Sequence, residues 1–184
     1  MIRQAQPEDA AVLARLIILA MDSLAAKFVG GSAPEESLPL FEKFAALPGN
    51  QYSYENALVY LDEQGVCGMI SAYDGRDLEL LRSDFLKYIA SEYGITQIPD
   101  HETQAGEYYI DCVSVFPRTQ GKGIGKKLIQ ALIKQAAGTG RDKVGLLVSK
   151  QNPNAERLYS GLGFQTVNER KFMGSDYFHM QYTI

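Results

Sequence analysis

The chain has 184 residues, enough for one domain that buries a sizeable core without disulfide or metal staples. Its 46% hydrophobic and 22% charged content is that of an ordinary globule, and a net charge of -4 lacks the basic footprint that nucleic acid or an anionic membrane surface would require. Cys67 and Cys112 sit in apolar surroundings without pairing or ligand spacing, and only two histidines occur, so free thiols in a reducing cytoplasm are expected and no metal site is.

The start, Met1-Ile2-Arg3-Gln4, has no signal-peptide core, and Leu16 to Ala20 is too short an apolar run to span a bilayer, so a soluble, unprocessed chain is expected. Ile2 to Gln6 reads as a first strand. Pro7 with Glu8 and Asp9 opens a helix that turns Val12, Leu13, Leu16, Ile17, Ala20 and Leu24 inward, and Gly30-Gly31-Ser32 breaks it. A second helix is predicted from Pro34 to Pro48. Tyr54–Leu61 and Val66–Tyr73 alternate around the turn Asp62-Glu63-Gln64-Gly65 as an antiparallel hairpin. Leu78, Leu81, Phe85, Leu86 and Ile89 then mark a helix to about Tyr93. From Glu92 to Asp111 stand five carboxylates, Glu92, Asp100, Glu102, Glu107 and Asp111, without a lysine or arginine; they read as a solvated loop, or as a negative lip that attracts a protonated amine.

The stretch Asp111 to Ala137 is the most informative. An apolar strand, Val113 to Phe116, stops at Pro117, and a loop holding Gly121, Gly123 and Gly125 opens a helix whose Ile124, Leu128, Ile129, Leu132, Ile133 and Ala136 recur at helical spacing. Free amides at a helix start, glycines that let phosphate oxygens approach, and the charges of Arg118, Lys122, Lys126 and Lys127 make an anion cradle. A dinucleotide-binding GxGxxG is excluded because Lys126 stands where its last glycine belongs. A P-loop is excluded by Gln120 and Lys127. Lys143 to Lys150 reads as a strand buried on both faces. Asn152 caps a short helix begun by Pro153 and ended at Gly161 or Gly163, and Phe164–Glu169 and Tyr177–Tyr182 complete the sheet. No repeat or linker divides the chain.

Gln120-Gly121-Lys122-Gly123-Ile124-Gly125 fits Q/R-x-x-G-x-G/A, and Asn152, Ala155, Tyr159, Gly163 and Phe164 fit N-x-x-A-x-x-x-Y-x-x-x-G-F. On these two motifs the chain resembles the GNAT N-acetyltransferase superfamily, loosely overall and closely over its last eighty or so residues. The resemblance implies a mixed α/β fold, a mostly antiparallel sheet of about seven strands flanked by helices, in one domain over 1-184. The thirty or so residues at about 76-106 are a helical insertion relative to the common pattern. It implies acetyl-coenzyme A as cosubstrate, with its pyrophosphate on Gln120, Gly121, Lys122, Gly123, Gly125 and Lys126, its pantetheine on Val115, and its thiol arm against Asn152, Ala155 and Tyr159. The Val113 amide would hold the oxyanion, and the Tyr159 hydroxyl would protonate the departing thiolate.

Strand alternation puts Glu107, Tyr109, Asp111, Val113 and Val115 on one face, so Asp111 or Glu107 is a candidate base, acting directly or through a water; either is also readable as a structural acceptor. His179 reads as a packed or surface histidine and His101 as solvated. The acceptor is a primary amine, of a small molecule or a peptide, with no nucleic acid or membrane partner, and the homodimer is left open. A non-catalytic acyl-coenzyme A-binding module and a transferase of other acyl groups or to oxygen are the alternatives.

Overall fold

The branched and aromatic runs pair into one seven-stranded sheet of order β1-β2-β3-β4-β5-β7-β6 in a computed structural model that describes all 184 residues. The strands are β1 Ile2–Gln4, β2 Ala57–Asp62, β3 Gly65–Asp74, β4 Tyr108–Val115, β5 Lys143–Ser149, β6 Gln165–Phe172 and β7 Ser175–Thr183. All neighbours are antiparallel except β4 and β5. The helices are α1 Ala10–Met21, α2 Ser23–Lys27, α3 Leu38–Ala45, α4 Leu78–Tyr93, α5 Ile124–Gly138 and α6 Pro153–Gly161.

The first predicted helix is shorter than its apolar pattern, because Asp22 takes a left-handed φ of 50° and α2 starts afresh at Ser23. Tyr54–Asn56 forms a 3-10 turn instead of strand, with the Ser53 hydroxyl accepting the Glu55 N–H at 3.1 Å. Leu13, Leu16, Phe41, Phe44, Met69 and Phe85 belong to the core between one face of the sheet and α1, α3 and α4. On the other face Ile124, Leu128, Ile129 and Leu132 of α5 pack against Ile70, Ile110 and Leu146. Gly68 lets α5 settle there, since a Cβ at that position would lie 3.1 Å from the Ser114 carbonyl and 3.2 Å from the Ile124 side chain.

Between β3 and β4 the chain leaves the sheet, forms α4, turns at Gly94 in the left-handed region, and returns without regular structure to Tyr108. Its two ends stay together, with the Gly75 N–H on the Glu107 carbonyl at 2.9 Å. The return segment is tied down by Arg82, which donates to the Pro99 carbonyl at 3.1 Å, and by Arg170, which donates to Gln104 at 2.6 Å. Asp100 accepts the Met173 N–H at 3.2 Å.

The insertion helix is part of the main core. Phe85 contributes to an aromatic cluster, with ring centroids 4.7 Å from Tyr52, 5.1 Å from Phe44 and 5.3 Å from Phe28. Phe85→Ala is expected to cost about 3–5 kcal/mol in urea unfolding, while Leu80→Ala on the 75% exposed side of the same helix stays within about 0.5 kcal/mol. Equal, small effects would mean that α4 folds apart from the core.

Candidate active site

β4 and β5 pair only over Tyr108–Ile110 and Val144–Leu146. Beyond that point β5 continues with β7 to Ser149 and β4 continues with β3 to Val115, so the two strands part and leave a wedge. At the same place the β3–β4 register slips: Ser71 faces Cys112, Ala72 faces Ile110, and Asp111 has no partner. It is the additional residue of a bulge. The Phe116 N–H bonds the Cys67 carbonyl at 2.9 Å, so antiparallel alternation turns the amides of Val113 and Val115 away from β3 and into the wedge.

This bulge overturns the expectation of one continuous face from Glu107 to Val115. An added residue reverses the parity of a strand, and here Val113 and Val115 join Ile110 on the α5 side while Cys112 lies in the core on the α1 side. Asp111 turns toward Gln51 and away from the two valines.

The glycine loop begins with a 3-10 turn, Pro117–Thr119. Gly121 and Gly123 then adopt φ of +78° and +73°, and a Cβ at either would meet nothing within 4 Å. Their requirement is therefore the left-handed backbone, and the space beside them is open. The Lys127 N–H bonds the Gly123 carbonyl at 3.1 Å, so the amides of Ile124, Gly125 and Lys126 precede the helical ladder and point outward from its start. Of the four basic side chains, Arg118 is paired with Asp62 at 2.7 Å and Lys127 lies over the Tyr60 ring. Lys122 and Lys126 are exposed beside the free amides. The donor set suits a diphosphate.

Two side chains expected to face the cofactor are engaged with protein. Gln120 donates to the Val115 carbonyl at 2.9 Å and ties loop to strand. The Asn152 oxygen accepts the Ala155 N–H at 3.1 Å and caps α6. Ala155 and Tyr159 lean on the α5-side core, and the Tyr159 ring meets Phe164 edge-on at 5.8 Å. Burial raises the Tyr159 hydroxyl to about 12, with the nearby Cys112 thiol adding to the effect. It keeps its proton at neutral pH. Burial also pushes the Cys112 thiol up, which removes it as a nucleophile.

The carboxylates divide sharply. Glu107 has its side chain fully buried and accepts from Thr103 at 2.6 Å and Gln181 at 2.7 Å, with His179 Nε2 at 2.8 Å. Burial opposes its charge, yet these donors win and hold the carboxyl below its ordinary value. Gly145 leaves room for it, because a Cβ there would sit 2.1 Å from a Glu107 oxygen. Glu107 is thus a saturated structural acceptor and is withdrawn as a candidate base. His179, fully buried, serves the same cluster, and His101 is exposed, 2.7 Å from Glu79.

Asp111 and Glu102 are poorly supplied by comparison. A single amide, Gln51 Nε2, reaches Glu102 at 2.8 Å and Asp111 at 3.3 Å, and the Tyr73 hydroxyl is 3.4 Å from Glu102. Burial raises Asp111 to about 7; burial and then the neighbouring Asp111 charge raise Glu102 to about 8. Glu102 is buried, so the acidic segment is neither a solvated loop nor a continuous negative lip. Gln51 is placed by its own N–H on the Leu81 carbonyl of α4 and by the buried Asn50 beside it. Nothing in the periodicity around Gly49-Asn50-Gln51 marked it.

A family model described as the Acetyltransferase (GNAT) family matches residues 19–164. The chain belongs to the GNAT acetyltransferase family. The spermine/spermidine N(1)-acetyltransferase of Bacillus subtilis is 30% identical over 126 residues, 65% of this chain and 80% of that one. An N-acetyltransferase structure from Staphylococcus aureus Mu50 superposes with a TM-score of 0.85 at 25% identity, covering 99% of this chain and all of that one. The PaiA N-acetyltransferase of Thermoplasma acidophilum, solved with coenzyme A, shares the fold at 18% identity and a TM-score of 0.58 over all of this chain and 98% of that one. The GNAT chain is accordingly an acetyltransferase built on a mixed, mostly antiparallel sheet. No helix is long and apolar enough to cross a membrane.

The raised carboxyls give the GNAT domain a stability that depends on pH. Both have folded values above their unfolded ones, so folding favours the protonated forms, and the contribution is complete below the unfolded values and lost as pH rises through about 7 and 8. Unfolding free energy is expected to fall from about pH 4 to about pH 8, by up to about 1.4 kcal/mol per pH unit for each proton, and to level off above that. Glu107 acts in the opposite sense, only at lower pH. Urea titrations should show a shallower fall in Glu102→Gln; a flat wild-type profile would contradict the carboxyl environment described.

Proposed function

We propose that this GNAT enzyme transfers the acetyl group of acetyl-coenzyme A to a primary amine by direct attack, with Asp111 as base and Tyr159 as acid. The observation that carries the reading is the wedge after Ile110, which opens strand amides beside an anion-binding helix start. The diphosphate would lie on the amides of Ile124, Gly125 and Lys126 and the charges of Lys122 and Lys126. Gly121, Gly123 and Gly125 shape that loop. Val115 would pair with the pantetheine arm, and Ala155 on α6, which Asn152 caps, would pack against it.

The amine nitrogen attacks the thioester carbon, Asp111 takes the nitrogen's proton, and the Val113 amide receives the negative oxygen. As the carbon–sulfur bond breaks, the Tyr159 hydroxyl protonates the thiolate and is recharged from solvent. No covalent enzyme intermediate is needed, consistent with the buried, raised thiol of Cys112. The carboxyl pair favours an acceptor that arrives as a cation, and the similarity to an enzyme named for spermine and spermidine supports alkylamines as the class. The cytoplasm is the proposed compartment, given free cysteines and a cosubstrate held there.

Release of free thiol from acetyl-coenzyme A with a panel of primary amines tests the activity, and a protein that binds the thioester but releases none would be a binding module only. Tyr159→Phe and Asp111→Asn are each expected to lower kcat by about 100-fold or more at neutral pH with little change in KM for acetyl-coenzyme A. Lys126→Ala should do the reverse, raising KM for acetyl-coenzyme A severalfold at low ionic strength and less in salt. Full kcat in Asp111→Asn across neutral and alkaline pH removes that residue as the base.

A further inference from the structure

We propose that Glu102, supplied by the insertion between β3 and β4, is a positioning residue for Asp111: through the side-chain amide of Gln51 the two carboxyls form one unit that carries a single shared proton in the working enzyme. This rests on the reading of Asp111 as base and adds to it the state in which that base works.

The geometry begins with one nitrogen. Gln51 Nε2 has two hydrogens, and its contacts are Glu102 Oε1 at 2.8 Å and Asp111 Oδ1 at 3.3 Å. Both carboxyls are thus within reach of one neutral donor group, and no lysine or histidine bonds either. The groups packed around them are Tyr52 before β2, Tyr73 on β3, Tyr109 and Cys112 on β4, Tyr177 on β7 and Arg82 on α4. The phenols and the thiol are all raised by burial first, so they stay neutral. Arg82 is the one cation that acts on the pair itself; Arg170, near Tyr109, is spent on Gln104 and the His101 carbonyl. The Arg82 side chain is 5% exposed, its terminal nitrogens are taken by the Pro99 carbonyl and Glu79, and its buried Nε has no partner while it lines a small cavity with Gln51 and Glu102.

Because the Arg82 charge is already partly offset by the 63% exposed Glu79, the site supports at most a single negative charge on the pair. A second charge would stand unpaired in a poorly solvated site, and repulsion between the carboxyls opposes it. In the singly charged form Asp111 is ionised and accepts the amine's proton, and Glu102 keeps its own. The overall change balances: an ammonium and acetyl-coenzyme A give the amide, free coenzyme A and one proton released to water. In the doubly charged form the added anion holds the acceptor as ammonium and opposes the charge developing on oxygen and sulfur. Turnover then falls.

The test is kcat against pH, with acetyl-coenzyme A and a primary alkylamine both saturating, for wild type, Glu102→Gln and Asp111→Asn. Wild-type kcat is expected to fall at least about fivefold between about pH 8 and about pH 9.5. Glu102→Gln preserves the contact to Gln51 and removes the second ionisation, so its kcat at about pH 9.5 should stay within about twofold of its own value at about pH 8. Glu102→Asp, which restores an ionisable group, should restore the alkaline fall. An alkaline fall that persists unchanged in Glu102→Gln overturns the proposal, as does a wild-type profile without one or a uniform loss at every pH.

Asp111→Asn separates the two readings. Wild-type turnover in that variant defeats the base assignment itself, whereas a large loss there with an unaltered Glu102→Gln profile defeats only the shared proton. Carboxyl-carbon NMR of the intact wild type needs no variant: two coupled steps straddling neutrality are expected, and two independent steps near about 4 would overturn the proposal.

Discussion

The structure depends on two parallel strands ceasing to pair. After Ile110 each of β4 and β5 gives up its hydrogen bonds to the other and keeps those to its outer neighbour, β3 in one case and β7 in the other. Every unpaired backbone group costs free energy if it is also kept from water, so an opening of this kind persists only when something else fixes both walls. Here α5 packs along one wall, seated through Gly68, and Tyr159 and Phe164 fill the other. The amides left over are oriented by the sheet and need no rearrangement to meet a ligand.

The same strand end handles carboxyl groups in two opposite ways. Glu107 is as buried as any charged group in the chain and is nonetheless ionised, because Thr103, Gln181 and His179 converge on its oxygens. Four residues later Asp111 shares a single amide with Glu102, and both retain protons far above the usual range. Burial alone therefore does not decide the chemistry of an acid side chain; the count and aim of donors around it does. One of these sites fastens β4 to its neighbours, and the other is left short of donors.

Much of this was legible in the sequence, and the rest was not for identifiable reasons. The glycine loop and the helix bearing Ala155 and Tyr159 depend on contacts within a few residues, so spacing and left-handed glycines declare them. The strands followed from apolar and aromatic patterning, alternating for β2 and β3 and nearly continuous for β5, except that Tyr54–Asn56 became a turn. The face of β4 did not, because the bulge at Asp111 is set by register against β3, which no local pattern records. Gln120 and Asn152 matched their motifs while their side chains turned to protein acceptors and donors. Gln51 and Glu102 are 51 positions apart and meet only in the folded chain. An acidic stretch without lysine looked solvated because its donors come from other elements.

The insertion leaves and rejoins the sheet at almost the same point, with Gly75 bonded to Glu107 across its base. In topology it is a removable cassette: excising it leaves Asp74 and Tyr108 paired opposite each other, ready to be joined as a plain hairpin. What would be lost is the Phe85 aromatic wedge, the second acid of the pair, and Glu107, through which β4 is tied to Gln181 and His179 of β7. A lineage that trims or enlarges this one excursion therefore changes the acids around Asp111 and the anchoring of β4 together, while the glycine loop lies outside it in the chain.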